Sequence, residues 1–246
     1  MRTKICGITR FEDAEAAAAA GAWAIGLNFF PPSARCVPDD AAELIGVECK
    51  RRLEVAGVFV DASLGRIARL AERCELTMVQ LHGSEGPSFC NEVARSTGCK
   101  VVKAFRVRSQ AELRGSAAWR TDMHLFDAYR PGSAGGTGES FDWELLAGHR
   151  SQTPAILAGG LTPDSVAEAI TVADPWAVDV AGGVEDGTPG IKDRDLVERF
   201  IAEANEAHAE LHPPRDDGAD GVDERRKSEP EVLTSRSYVA ERERPR

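Results

Sequence analysis

Ala155-Ile156-Leu157-Ala158-Gly159-Gly160-Leu161 is the stretch on which the fold turns. Four apolar residues suit a short strand buried on both faces, and a glycine pair ends it. Thr162 and Pro163 follow, a good N-cap and first-turn pair for a helix. The pattern then returns: Trp176-Ala177-Val178-Asp179-Val180 runs into Ala181-Gly182-Gly183-Val184-Glu185, with a helix expected over residues 193–207. Upstream, the same strand-then-helix unit recurs six times. Strands are expected at residues 3–8, 23–29, 54–60, 78–81, 100–105 and 124–127. Helices are expected at 11–20, from Pro38-Asp39-Asp40 onward, at 64–73, 88–96 and 110–114, and a short one at 142–146. Eight such units in alternation predict a single (β/α)8 barrel. A doubly wound open sheet is the alternative, but it carries its glycine fingerprint at the first strand–helix turn. Here the glycines gather after the sixth strand (Gly132, Gly135, Gly136, Gly138), the seventh and the eighth, which favours the barrel.

The bulk composition agrees. The chain has 246 residues, 42% hydrophobic and 28% charged, which is ordinary for a protein with a sizeable core. A formal net charge of −10 argues against nucleic-acid binding by counterion release and against a basic membrane-surface protein. It leaves room for an anionic small molecule, because one site can be positive on an acidic surface. The six cysteines, Cys6, Cys36, Cys49, Cys74, Cys90 and Cys99, are scattered, with neither a C-x-x-C pair nor zinc spacing. They read as free thiols in a reducing compartment. No apolar run approaches the ~20 residues of a membrane span, and the N-terminus lacks a signal-peptide pattern. A cytoplasmic location is the expectation. The barrel is assigned to residues 1–208. Residues 209–246 are rich in Asp, Glu, Arg, Pro and Gly and are expected to be disordered. A segment that folds on an unidentified partner is the other reading of that tail.

In a barrel, the C-terminal ends of the strands share one mouth, and the chemistry sits there. Cys6, Asn28, His82, Asp127 and Asp179 fall at or just beneath those ends. Gly159-Gly160 and Gly182-Gly183 expose backbone N–H groups in the two loops where barrels often hold phosphate. Cys6 and Asp127 end strands on different sides of the mouth, so a substrate between them could lose a proton to one and gain one from the other. Arg35, in the long loop after the second strand, suits bidentate binding of a carboxylate. Each residue also has a plainer reading: a buried apolar thiol for Cys6, a loop anchor for Asp127, tight turns for the glycines, a solvated charge for Arg35 and a hydrogen-bonded neutral ring for His82.

Taken together, Lys4-Ile5-Cys6-Gly7-Ile8-Thr9, Gln80-Leu81-His82-Gly83, Gly135-Gly136-Thr137-Gly138 with Phe141-Asp142-Trp143, Leu157–Leu161, Val178-Asp179-Val180 through Glu185, and Gly190-Ile191-Lys192-Asp193 resemble phosphoribosylanthranilate isomerase. The resemblance spans residues 3 to about 205 and leaves out the tail. It implies an Amadori rearrangement of N-(5′-phosphoribosyl)anthranilate in tryptophan synthesis, with no cofactor or metal, because the substrate's own nitrogen is the electron sink. Asp127 would be the general acid at the ribose ring oxygen and Cys6 the general base at C2′. The amides around Gly159-Gly160 and Gly182-Gly183 would carry the phosphate, Arg35 the anthranilate carboxylate, and His82 and Asp179 would complete the binding site.

The chain departs from the family pattern in two places. Ser33-Ala34-Arg35-Cys36 lacks the usual proline and tyrosine, so a looser loop is expected. Ala181-Gly182 replaces two serines, which removes hydroxyls near the phosphate and should weaken binding. The competing readings are a sugar-phosphate-binding barrel, inactive or shifted in substrate, that works through its tail, and an indoleglycerol-phosphate synthase. The synthase would need a lysine acid and a glutamate at strand ends, and no convincing set is found.

Overall fold

The structure is a computed structural model; it describes residues 1–107, 109–127, 143–147, 149 and 151–213. Period-two alternation governs the strands: β1 (Arg2–Cys6), β2 (Ala24–Asn28), β3 (Glu54–Phe59), β4 (Met78–Leu81), β5 (Lys100–Arg106), β6 (Met123–Asp127), β7 (Ala155–Ala158) and β8 (Ala177–Val180). All pair in parallel, each with its neighbours in sequence, and β1 pairs β8 to close the barrel. Helices α1 (Phe11–Ala19), α2 (Asp39–Cys49), α3 (Leu64–Arg73), α4 (Pro87–Thr97), α5 (Gln110–Gly115), α6 (Val166–Ala173) and α7 (Arg194–Leu211) alternate with the strands.

Alternate residues of each strand face two different cores. Outward residues such as Ile5, Ile25, Val79, Phe126 and Val178 pack under the helices against Ile67, Val93, Ile170 and Phe200. Inward residues fill the barrel with small and slender side chains, including Ala24, Ala56, Met78, Val102, Leu125 and Ala177. Trp23 and Trp176, which precede β2 and β8, meet edge to face at 5.1 Å at the opposite end from the mouth. The Arg2 guanidinium lies 4.4 Å from the Trp176 ring centroid. Towards the mouth, the buried polar residues Lys4, Gln80 and Asp179 join the interior.

Two element boundaries differ from the sequence expectation. The helix expected at 142–146 is a 3-10 turn at Trp143–Leu145 among the described residues. The last helix runs to Leu211, four residues beyond the expected end, and its buried face ends at Ala207. It therefore crosses residue 208, where the barrel was expected to end. The glycine-rich stretch 130–138, Phe141-Asp142, and residues 214–246 lie outside the described residues.

Candidate active site

A cavity of about 750 Å³ opens at the C-terminal ends of the strands. Cys6, Arg35, His82, Asp127, Gly159, Gly160, Asp179, Gly182 and Gly183 all line it, so every residue proposed from sequence reaches one space. Val58, Leu125, Ala158 and Val180 supply its apolar wall.

β1 and β8 build the Cys6 side. Lys4 and Cys6 are two apart on β1 and share the inward face. Lys4 stands opposite Asp179 in the β1–β8 register, and its ammonium donates to Asp179 Oδ1 at 2.9 Å with both side chains buried. Burial pushes the Cys6 thiol up, and the Lys4 and Lys192 charges oppose that push. Burial also works against the Lys4 ammonium, but Asp179 and Cys6 more than restore it, so it stays protonated.

The Asp127 side is more open. His82 Nε2 lies 3.3 Å from Asp127 Oδ2, and His82 Nδ1 lies 3.2 Å from Gln80 Nε2. An amide N–H donated to Nδ1 leaves the ring proton on Nε2, facing the carboxylate. Both side chains keep about a quarter of their surface exposed, 22% for His82 and 29% for Asp127, so both remain within reach of a ligand.

The loops after β7 and β8 close the third side. Gly159 and Gly160 have φ of 95° and 68°, left-handed values that few other residues tolerate. The Gly182–Val184 stretch forms a 3-10 turn. A Cβ on Gly183 would come 1.9 Å from the Leu161 carbonyl oxygen, so only glycine lets the two loops approach this closely.

Arg35 has a protein partner that the sequence did not reveal. Its Nε and Nη2 donate to Glu185 Oε1 and Oε2 at 2.7 and 2.6 Å. Glu185 Oε1 also accepts from Lys192 Nζ at 3.1 Å and from the Gly190 N–H at 2.9 Å. Ser33 Oγ accepts from the Arg35 N–H at 3.1 Å and from Asn28 Nδ2 at 3.2 Å. Ser33 and Arg35 thus tie the loop after β2 to Asn28 and to Glu185.

The polar set can hold an anion at one end, present a thiol and a carboxyl to the middle, and orient a second anion through Arg35. A family model for N-(5'phosphoribosyl)anthranilate isomerase matches residues 3–203. The chain belongs to the phosphoribosylanthranilate isomerase family. An N-(5'-phosphoribosyl)anthranilate isomerase of Geobacter sp. (strain M21) is 47% identical over 203 residues, covering 82% of this chain and 97% of that one. The Neisseria meningitidis serogroup B isomerase is 44% identical over 207 residues, covering 83% and 97%. The solved phosphoribosyl anthranilate isomerase of Thermotoga maritima is 37% identical with a TM-score of 0.77, covering 84% of this chain and 99% of that one. Another isomerase structure, in complex with reduced 1-(o-carboxyphenylamino)-1-deoxyribulose 5-phosphate, is 35% identical with a TM-score of 0.74, at the same coverage.

Within this isomerase barrel, sequence reasoning missed Lys4, Gln80, Glu185 and Lys192 as parts of the site. Lys4 and Gln80 had a signal: each lies two residues from Cys6 or His82, on a strand or at its end. Glu185 and Lys192 sit in loops, where no periodicity points a side chain anywhere.

Proposed function

We propose that this chain converts N-(5-phosphoribosyl)anthranilate to 1-(2-carboxyphenylamino)-1-deoxyribulose 5-phosphate, an isomerisation in tryptophan biosynthesis. The observation that carries this is the placement of Cys6 on β1 and Asp127 on β6, facing one cavity from different sides, in a chain of this family. Asp127, beside His82 Nε2, protonates the ribose ring oxygen. The C1′–O bond breaks and the anilino nitrogen's lone pair forms the C1′=N bond. Cys6 thiolate takes the C2′ proton, and the C–H electron pair forms C1′=C2′ while the C1′=N pair returns to nitrogen. The enolamine then gains a proton at C1′ and gives up the proton of its 2′-hydroxyl, whose oxygen becomes the ketone's. The loops at Gly159-Gly160 and Gly182-Gly183 hold the phosphate through backbone N–H groups, with Asp179 beneath them bracing the floor. Arg35, fixed by Glu185 along its Nε–Nη2 edge, has its remaining Nη1 edge for the anthranilate carboxylate.

No helix among the described residues is long and apolar enough to cross a membrane, and a cytoplasmic enzyme on a diffusible phosphorylated substrate fits that. The chemistry asks nothing of residues beyond 213, so any partner of the tail would act apart from it. Turnover in D₂O tests the route: the product should carry deuterium at C1′ by NMR. A product protonated only from the substrate's own C2′ hydrogen, or no turnover, would contradict it.

A further inference from the structure

We infer that Lys4 is the positioning residue that makes Cys6 an effective base, its buried ammonium shared between Asp179 and the sulfur so that the thiolate is held while the C2′ proton is taken. The inference rests on the proposed isomerisation for its use, but its evidence is geometric. Lys4 is 1% exposed, deeper in the barrel than Cys6 and on the same face of β1. Its ammonium binds Asp179 Oδ1 at 2.9 Å, and its charge acts on the Cys6 thiol in the direction that favours the thiolate. Gly26, directly opposite Cys6 in the β1–β2 register, makes room for both. A Cβ there would lie 2.7 Å from Cys6 Sγ and 3.1 Å from Lys4 Nζ. The sulfur and the ammonium therefore border the same missing side chain.

The charges that reach Cys6 complete the picture. Lys4 comes from β1 and Asp179 from β8; Lys192 and Arg35 come from the loops before α7 and after β2. Lys192 and Arg35 share the single carboxylate of Glu185, while Lys4 has Asp179. On the far side, His82 and Asp127 act on Asp179. Three cations against two carboxylates leave the floor around the sulfur one positive charge in excess, and a thiolate neutralises it. An isolated thiolate in an apolar barrel would be strongly disfavoured; beside a fixed ammonium it is disfavoured less, although burial still holds the Cys6 thiol up. In the step itself the thiolate becomes a thiol, and Lys4 keeps its proton throughout.

Lys4 and Asp179 should then shift Cys6 in opposite directions, which a merely structural pair would not do. The test is the rate of Cys6 alkylation by iodoacetamide against pH, read by peptide mass spectrometry in the full chain. Lys4→Met should raise the midpoint by about one to three pH units, and Asp179→Asn should lower it. Lys4→Arg should rescue part of the Lys4→Met shift. The acidic limb of kcat/KM should move with the alkylation midpoint. A folded Lys4→Met protein with the wild-type midpoint would overturn the inference. If that variant fails to fold by circular dichroism, an Asp179→Asn midpoint that stays or rises overturns it instead. A wild type that turns over no phosphoribosylanthranilate yet shows both shifts would refute the reaction and leave the thiolate pairing standing.

Discussion

Gly26 shows how much of this site is decided by single atoms. It has no chemistry of its own, yet a methyl group there would fall 2.7 Å from the sulfur of Cys6. Gly26→Ala should therefore cost about 100-fold in kcat, the scale set by a misplacement of about 1 Å at a reacting group, while the fold persists. Steady-state kinetics beside circular dichroism checks this. Arg35 makes the matching case for binding. Its fork is held by Glu185 through two charge-assisted bonds, and a lysine cannot reproduce that geometry. Arg35→Lys should raise KM about tenfold or more with a smaller effect on kcat. The placement of Cys6 and Asp127 at the mouth was legible because their motifs mark strand ends, and that of Arg35 because its loop follows a strand. Glu185 stood inside a quoted motif without a visible task, since only folding brings it across 150 positions to Arg35. Lys4 was readable in principle, as i and i+2 on a strand share a face.

At the scale of elements, the pinch between the loops after β7 and β8 is the most sensitive joint. Gly183→Ala would place a carbon 1.9 Å from the Leu161 carbonyl oxygen, so one loop must move. Phosphate-dependent binding should weaken, seen as a higher KM and a weaker competitive inhibition by inorganic phosphate. Unchanged KM would show that these loops do not seat the phosphate. The strands and most helices were legible because each strand is a short apolar run and each helix begins at a turn signal such as Ser63, which caps α3 by accepting from the Arg66 N–H. The end of α7 was not, because its last turn, through Glu210 and Leu211, is exposed and reads as the start of a polar tail. The short helix expected near Trp143 is a single 3-10 turn among the described residues.

The whole molecule carries its pH limits in its buried groups. Burial pushes the thiols of Cys49, Cys74, Cys90 and Cys99 up, that of Cys74 to about 11 from an ordinary 9.0. A raised folded value means that the folded state holds the proton more tightly. The corresponding stability is fully present below pH 9 and is lost as pH rises from 9 through about 11. At the acid end the sign reverses. Burial pushes Glu185 up, but Arg35, the Gly190 N–H and Lys192 more than reverse it, so its carboxyl sits below the ordinary 4.5. Its contribution is present above pH 4.5 and is lost as pH falls further. Urea midpoints should be level between these limits and fall outside them, and Glu185→Gln should flatten part of the acid fall. Met1–Pro213 forms one compact unit that holds every site residue named above, and a chain ending at Pro213 should keep the full isomerase rate. The most direct measurement of the central claim is the loss of phosphoribosylanthranilate fluorescence with wild type, Cys6→Ser and Asp127→Asn side by side. Rapid loss with wild type, and at least about 100-fold slower loss with each folded variant, is the expected result. A wild type that binds the reduced product analogue but leaves the substrate fluorescent, or variants as fast as wild type, would contradict it.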